Sequence, residues 1–383
     1  MTIRELAYAA QQHLQVSTKD SFKRAHVYEL LAASFGFNSY AAFGVDTVFT
    51  ELRANDNRVP PQSALITRRC MELGYQPDKA VLVPAALESF LAQRQIGVAS
   101  ISSLIRCLRG GLPNQDDGLA GDAKRLFTDD QDDLFDPADN SEFGQILVGA
   151  LEAAASKGHA LAHYALALIN DPNNEDEEPD AGSSYWHSQG QQGRLLIGVE
   201  KEWAEAYEAG LTRTEKYLRH LREAGRLGDQ HALLELADRF DDPLFFEQSR
   251  RDVGADPAAV AAIAERMGRP ADAKYWLTVA AERGDTDAMF QLIEEHDQDD
   301  LLRCWMWVYL SQLVGSDLAK AAYTAINEDG SDYDDDVGGP AYVAGRDGVN
   351  LDRLGTEQDA AARLAAQEVF DQMQRNGHLK PLP

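Results

Sequence analysis

The stretch Ala271–Ile293, ADAKYWLTVAAERGDTDAMFQLI, constrains the fold of this chain more than any other, because it spells a helix, a glycine break and a second helix. Ala273, Tyr275, Trp276, Val279 and Ala280 recur at helical spacing and so share one side of the first helix. Gly284 supplies the left-handed residue that commonly ends a helix, since it has no Cβ to clash. Asp285 is placed to cap the next helix by accepting a backbone N–H. Ala288 and Leu292 follow Gly284 by four and eight residues, on one face of the second helix. A small residue near the turn lets the two helices approach closely, and the leucine fills the space further along. The spacing predicts a helical hairpin.

The hairpin has copies. Gly158, Ala162 and Leu166 repeat the pattern, as do Gly228, Ala232 and Leu236, where Asp229 again stands at the cap. A further copy has Gly315 and Ala319, with Ser316 at the cap and Tyr323 in place of the leucine. Trp307 precedes Gly315 by eight residues, as Trp276 precedes Gly284. Gly158 and Gly228 are 70 residues apart, twice 35, with Gly193 midway as a degenerate copy. Gly228 and Gly284 are 56 apart, which fits one period plus an insertion around Asp241–Asp256. A two-helix repeat of this period is the signature of an α-solenoid.

The string from Trp276 to Leu292 (W-L-x-x-A-A-x-x-G-D-x-x-A-x-x-x-L) resembles the Sel1-like repeat, a relative of the tetratricopeptide repeat. The resemblance spans residues 143–326. It implies a curved stack of helix pairs that binds other proteins and performs no chemistry. Two departures are visible: the spacing of the copies is irregular, and Arg219 and His220 stand where the best copy has Tyr275 and Trp276.

The expected fold class is therefore all-α, an α-solenoid of helix hairpins over 144–325 preceded by a small helical N-terminal region over 1–127. That region reads as two subdomains, 1–53 and 63–111, joined by the polar, proline-bearing ANDNRVPPQ (Ala54–Gln62). Its helical segments include HVYELLAASFGFNSYAAF, SALITRRCMELGY and a helix started by Pro84. An acidic linker over 128–143 follows. In the solenoid, Val199–Gly210 and Ala258–Gly268 read as helices, and nothing alternates with period two, so no sheet is expected there. Residues 326–355 read as an acidic, glycine-rich loop, and 356–377 as a capping helix introduced by a Thr356/Asp359 capping box.

Charge divides the chain. Residues 1–127 hold 14 Lys+Arg against 12 Asp+Glu; residues 128–383 hold 22 against 51, a net of −29 within a total of −27. Such asymmetry suggests that the two parts meet different things. An acidic array disfavours nucleic acid and anionic membranes and favours a basic protein or peptide. The charged N-terminal residues lack an apolar core, no apolar run reaches the roughly 18 residues of a membrane span, and Cys70, Cys107 and Cys304 form no CxxC. These features predict a cytoplasmic protein; the oligomeric state is left open.

No HExxH, Walker loop or GxSxG occurs, and no close Cys/His pair is present, so neither catalysis, a cofactor nor a metal ligand set is expected. Two alternatives stay open. Ala32, Gly36, Asn38 and Ser39, with Lys19, Lys23, Arg24 and His26 nearby, allow a helix-turn-helix that touches nucleic acid. The alternate carboxylates Asp332, Asp334 and Asp336 allow a calcium site, and the loop Ile326–Asn350 a metal-dependent enzyme, although an EF-hand aligned on Gly330 has Ala325 at its first ligand position. The expected partner-binding residues are Tyr275, Trp305 and Tyr309, as aromatic anchors on a concave face, together with Asp332, Asp334, Asp335 and Asp336. Trp276 and Trp307, which repeat, are expected in the core.

Overall fold

The computed structural model describes residues 2–51, 61–109, 144–174, 182–248, 254–327, 331, 333 and 341–377. The linker expected over 128–143, most of the one over 54–62, and Asp332, Asp334, Asp335 and Asp336 lie outside the described residues. Helix dominates what is described, with two short two-stranded sheets. The chain divides into two compact units, Met1–Leu236 and Ala237–Pro383. That division falls inside the span 144–325 set apart by the repeat spacing.

In the first unit, α1 (Ile3–Thr18) opens with a capping box. The Glu5 N–H donates to Thr2 Oγ1 (3.2 Å) and the Thr2 N–H to Glu5 Oε2 (2.7 Å). Helices α1, α2 (Arg24–Ser34), α4 (Ser63–Glu72) and α6 (Val83–Arg94) bury Leu6, Leu14, Leu30, Leu31, Ile66 and Leu87 in one core. Between them α3 is a single turn, Tyr40–Phe43, and α5 another, Pro77–Ala80. The turn at α3 leads into β1 (Thr47–Glu51), which pairs antiparallel with β2 (Ile96–Ser100) from Thr47↔Ser100 to Glu51↔Ile96. A helix-turn-helix needs a recognition helix long enough to lie in a groove. α3 is one turn long and buries Phe43, so the helix-turn-helix expectation is corrected here.

Asp46 holds the end of the sheet to α7 (Ile101–Leu108), accepting from the Ser102 N–H (3.0 Å) and the Ser100 hydroxyl (2.8 Å). Glu51 accepts the Ile146 N–H (3.0 Å), fastening the start of α8 (Gln145–Ala155). α8 and α9 (Ala160–Ile169) meet around Gly158, φ 83°, with Ala162 and Leu166 buried. α10 (Ser183–Gln191) precedes α11, which runs unbroken from Val199 to Arg226. The helix expected to stop at Gly210 therefore continues, because TRTEKYLRHLREA beyond it is rich in strong helix formers. Gly228 (φ 92°) separates α11 from α12 (Gln230–Phe240), and Asp229 accepts the Ala232 N–H at 2.8 Å.

The second unit contains α13 (Leu244–Glu247), α14 (Pro257–Arg266), α15 (Pro270–Ala281) and α16 (Thr286–Gln291). Gly284, at φ 101°, ends α15, and Asp285 accepts from the Asp287 and Ala288 N–H groups (2.9 and 3.0 Å). A π-turn, Leu292–His296, follows, then α17 (Leu301–Leu313).

After Gly315 the expected second helix is absent. Ala319 is exposed in a turn, and Tyr323 lies in β3 (Ala322–Ile326), paired antiparallel with β4 (Tyr342–Arg346). This corrects both the fourth hairpin and the expectation of no sheet up to residue 325. The reason lies in the glycines read as loop composition. A Cβ on Gly345 would stand 2.1 Å from the Ala322 carbonyl oxygen, and one on Gly348 2.4 Å from that of Ala319. Both glycines let one chain lie directly against the other. Ala325 sits in that pairing, not at the head of an EF-hand loop.

The final helix, α18 (Thr356–Arg375), packs on α17. Its N-cap is Gly355 with no side-chain hydrogen bond, so the capping box is also corrected: Asp359 is engaged elsewhere.

Candidate functional site

In the second unit one of the aromatic positions singled out above, Trp307, meets a buried carboxylate, that of Asp297. The Asp297 side chain, 1 % exposed, lies at the end of the π-turn, where its N–H reaches the Leu292 carbonyl five residues back at 2.7 Å. Lys274 Nζ from α15 stands 2.6 Å from Oδ1, and Arg303 Nε from α17 stands 3.0 Å from Oδ2. Neither cation has the alignment of a hydrogen bond to the carboxylate, so these are ion pairs. The directed bond comes from Trp307, whose indole N–H donates to Oδ2 at 3.0 Å. Lys274 also donates to the His296 carbonyl (2.8 Å), and the Cys304 thiol to that of Asp297 (3.1 Å). Trp307 is thus buried for a polar reason as well as an apolar one: it satisfies an acid that would otherwise be costly to bury.

Trp276 is buried too and stacks on Phe245, with ring centroids 6.2 Å apart. Tyr275 is half-buried, edge-on to Trp276. Trp305 is half-buried and donates to the Asp352 carbonyl at 2.8 Å. Tyr309 departs from its expected place on an open face. It is 8 % exposed, donates its hydroxyl to Asp359, and lies beneath the Arg363 guanidinium, 4.0 Å from the ring centroid. Burial and then the Asp359 bond raise the Tyr309 pKa, while the Tyr309 and Arg363 bonds lower that of Asp359. Tyr309 is therefore a clasp between α17 and α18. Its length and its partner 50 residues on explain why no local pattern marked it.

The first unit holds a second polar cluster that sequence reading touched only as a departure. His220, on α11, meets His163, on α9, with Nδ1 atoms 3.0 Å apart. His163 Nε2 faces the Ala155 carbonyl (3.1 Å), which can only accept, so that nitrogen carries the proton and Nδ1 accepts. His220 Nδ1–H must then donate to it, and His220 Nε2 accepts from Arg219 at 3.2 Å. Every site in the chain is filled only if both rings are neutral. Burial, then Arg219, pushes the His220 pKa down to about 4, and burial lowers that of His163. Nearby, the Tyr164 and Tyr217 hydroxyls donate to the two oxygens of Glu235, at 3.1 and 2.6 Å.

The buried thiols are poor nucleophiles. Burial pushes Cys304 up to about 11 and Cys70 up to about 12, and raises Cys107. The exposed surface of the second unit is acidic where α16, the π-turn and α17 succeed one another: Asp287, Glu294, Glu295, Asp299 and Asp300 are all exposed. Among the described residues no helix is long and apolar enough to cross a membrane. Compared with known proteins, the chain matches no protein-family model, no curated protein and no solved structure.

Proposed function

We propose that this chain is a non-catalytic scaffold, a solenoid of Sel1-like helical hairpins that holds a basic protein or peptide in the cytoplasm. The observation that carries the reading is the charge division: a net of −29 over residues 128–383 beside a nearly balanced N-terminal region. The acids exposed from Asp287 to Asp300 give that charge a surface on rigid elements. A concentrated field of one sign attracts the opposite sign at long range and speeds encounter. The hairpins around Gly158, Gly228 and Gly284, each with a buried alanine and leucine at the same offsets, support a stacked architecture. With Tyr309 engaged by α18, the aromatic contribution to binding falls to Tyr275 and Trp305, which keep partial exposure.

Affinity capture from a cell extract tests the reading. The captured proteins should have basic isoelectric points and should be released as salt shortens the Debye length from about 10 Å near 0.1 M towards 3 Å near 1 M. Capture of acidic proteins, or retention indifferent to salt, would contradict it.

A further inference from the structure

Glu265, near the end of α14, meets Glu295 and His296 of the π-turn, and one ligating atom from each lies within 4.8 Å of the others. His296 Nε2 stands 3.5 Å from Glu265 Oε1, and Gln291 Nε2 stands 3.5 Å from Glu265 Oε2. Both contacts are long; good N–H···O bonds cluster near 2.9–3.0 Å. His296 nevertheless has a side chain only 11 % exposed. Lys274, which reaches the His296 carbonyl, and Arg303 are paired with Asp297, and Arg266, next to Glu265 in the chain, is paired with Asp238. Two carboxylates and a largely buried imidazole thus converge, and among the described residues no Lys or Arg forms an ion pair with either carboxylate.

We infer that Glu265, Glu295 and His296 bind a divalent transition-metal ion of the zinc class. With His296 neutral the trio carries two negative charges, which a divalent ion offsets. One imidazole with two carboxylates suits zinc, manganese, cobalt or nickel; calcium and magnesium prefer all-oxygen sites. Ligand bonds of about 2.0–2.2 Å place neighbouring donors about 3–4 Å apart, so the trio needs only a slight closure. The backbone is already fixed for it. Lys274 ties down the His296 carbonyl, and Asp297, the next residue, is locked beneath Lys274, Arg303 and Trp307. Three protein donors leave room for water or for a side chain from a partner, so the site would join the acidic surface without replacing it. No sequence motif announces the trio, because adjacent Glu295 and His296 cannot share a helix face in ordinary α geometry.

Calorimetric titration of the full chain, freed of metal by chelation, tests the site with zinc chloride, with cobalt chloride as a visible-absorbance reporter. The inference predicts one zinc per chain, calcium failing to compete, and a raised thermal midpoint. Glu295 is exposed, so Glu295→Gln should fold normally and yet weaken zinc by about ten-fold or more, as loss of even an outer-sphere group does. His296→Ala should do the same and alter the cobalt spectrum. Zinc binding unchanged in both variants, or no zinc binding by the native chain, would overturn the inference. Because the titration needs no protein partner, its failure is distinct from failure of the scaffold reading.

Discussion

Asp297 couples the two sides of its corner of the second unit. Lys274 comes from α15, Arg303 and Trp307 from α17, and the π-turn that follows α16 is what brings the carboxylate inward. Breaking a buried ion pair on one side costs about 3–5 kcal/mol, because the partner is left charged and unmatched. Here Lys274 and Arg303 keep 40 % and 36 % side-chain exposure, so water recovers part of that loss. Asp297→Asn should therefore destabilise by about 3 kcal/mol, the lower end, as read by chemical denaturation followed through tryptophan fluorescence. The histidine pair makes a prediction of opposite origin. Its folded-state pKa values lie below the ordinary 6.5, that of His220 at about 4. The unfolded chain thus binds protons first, and stability present above pH 6.5 should be lost as pH falls towards 4. The charged groups around the pair are Arg219, Lys216, Glu223 and Arg226. Denaturation midpoints at pH 7 and pH 5 should differ less for His220→Gln than for the native chain. An equal difference would remove the pair from the account.

Among the elements, the hairpin at Gly284 was legible because all its requirements are local: a glycine at φ 101°, an aspartate cap, and small and large residues at helical offsets. Ala288 is buried, so Ala288→Leu should overpack the turn at a cost of about 1–3 kcal/mol. The same change at exposed Ala361 on α18 should be nearly neutral. Thermal melts of the two variants make the comparison, and equal midpoints would place Ala288 outside any tight contact. The segment beyond Gly315 was not legible, because a strand is completed by a partner about 20 residues away. Its glycines answer to that partner: Gly345 lies at φ 141° with no room for a Cβ. Gly345→Ala should release the β3–β4 pairing, with faster amide exchange at Ala322–Ile326 while α17 keeps its protection. The candidate site divides in the same way. Trp276 and Trp307 were readable as core from their recurrence. Asp297, Lys274 and Arg303 were hidden, since isolated charges on amphipathic helices look like solvated faces until the fold turns them inward.

At the scale of the whole molecule, the scaffold account rests on charge placed on rigid elements. Glu294 lies within the π-turn, Asp299 just beyond it, and Asp287 in α16 before it. None of these three holds the Asp297 hub together or belongs to the zinc trio, so their charge can be removed without touching either. The most direct test is the association rate of a basic protein captured by the native chain, measured over a range of salt against the variant Asp287→Asn, Glu294→Gln, Asp299→Asn. The account predicts a fast, salt-sensitive rate for the native chain and a slower, flatter one for the variant, with dissociation changing less. Identical rates and identical salt dependence in the two proteins would contradict it.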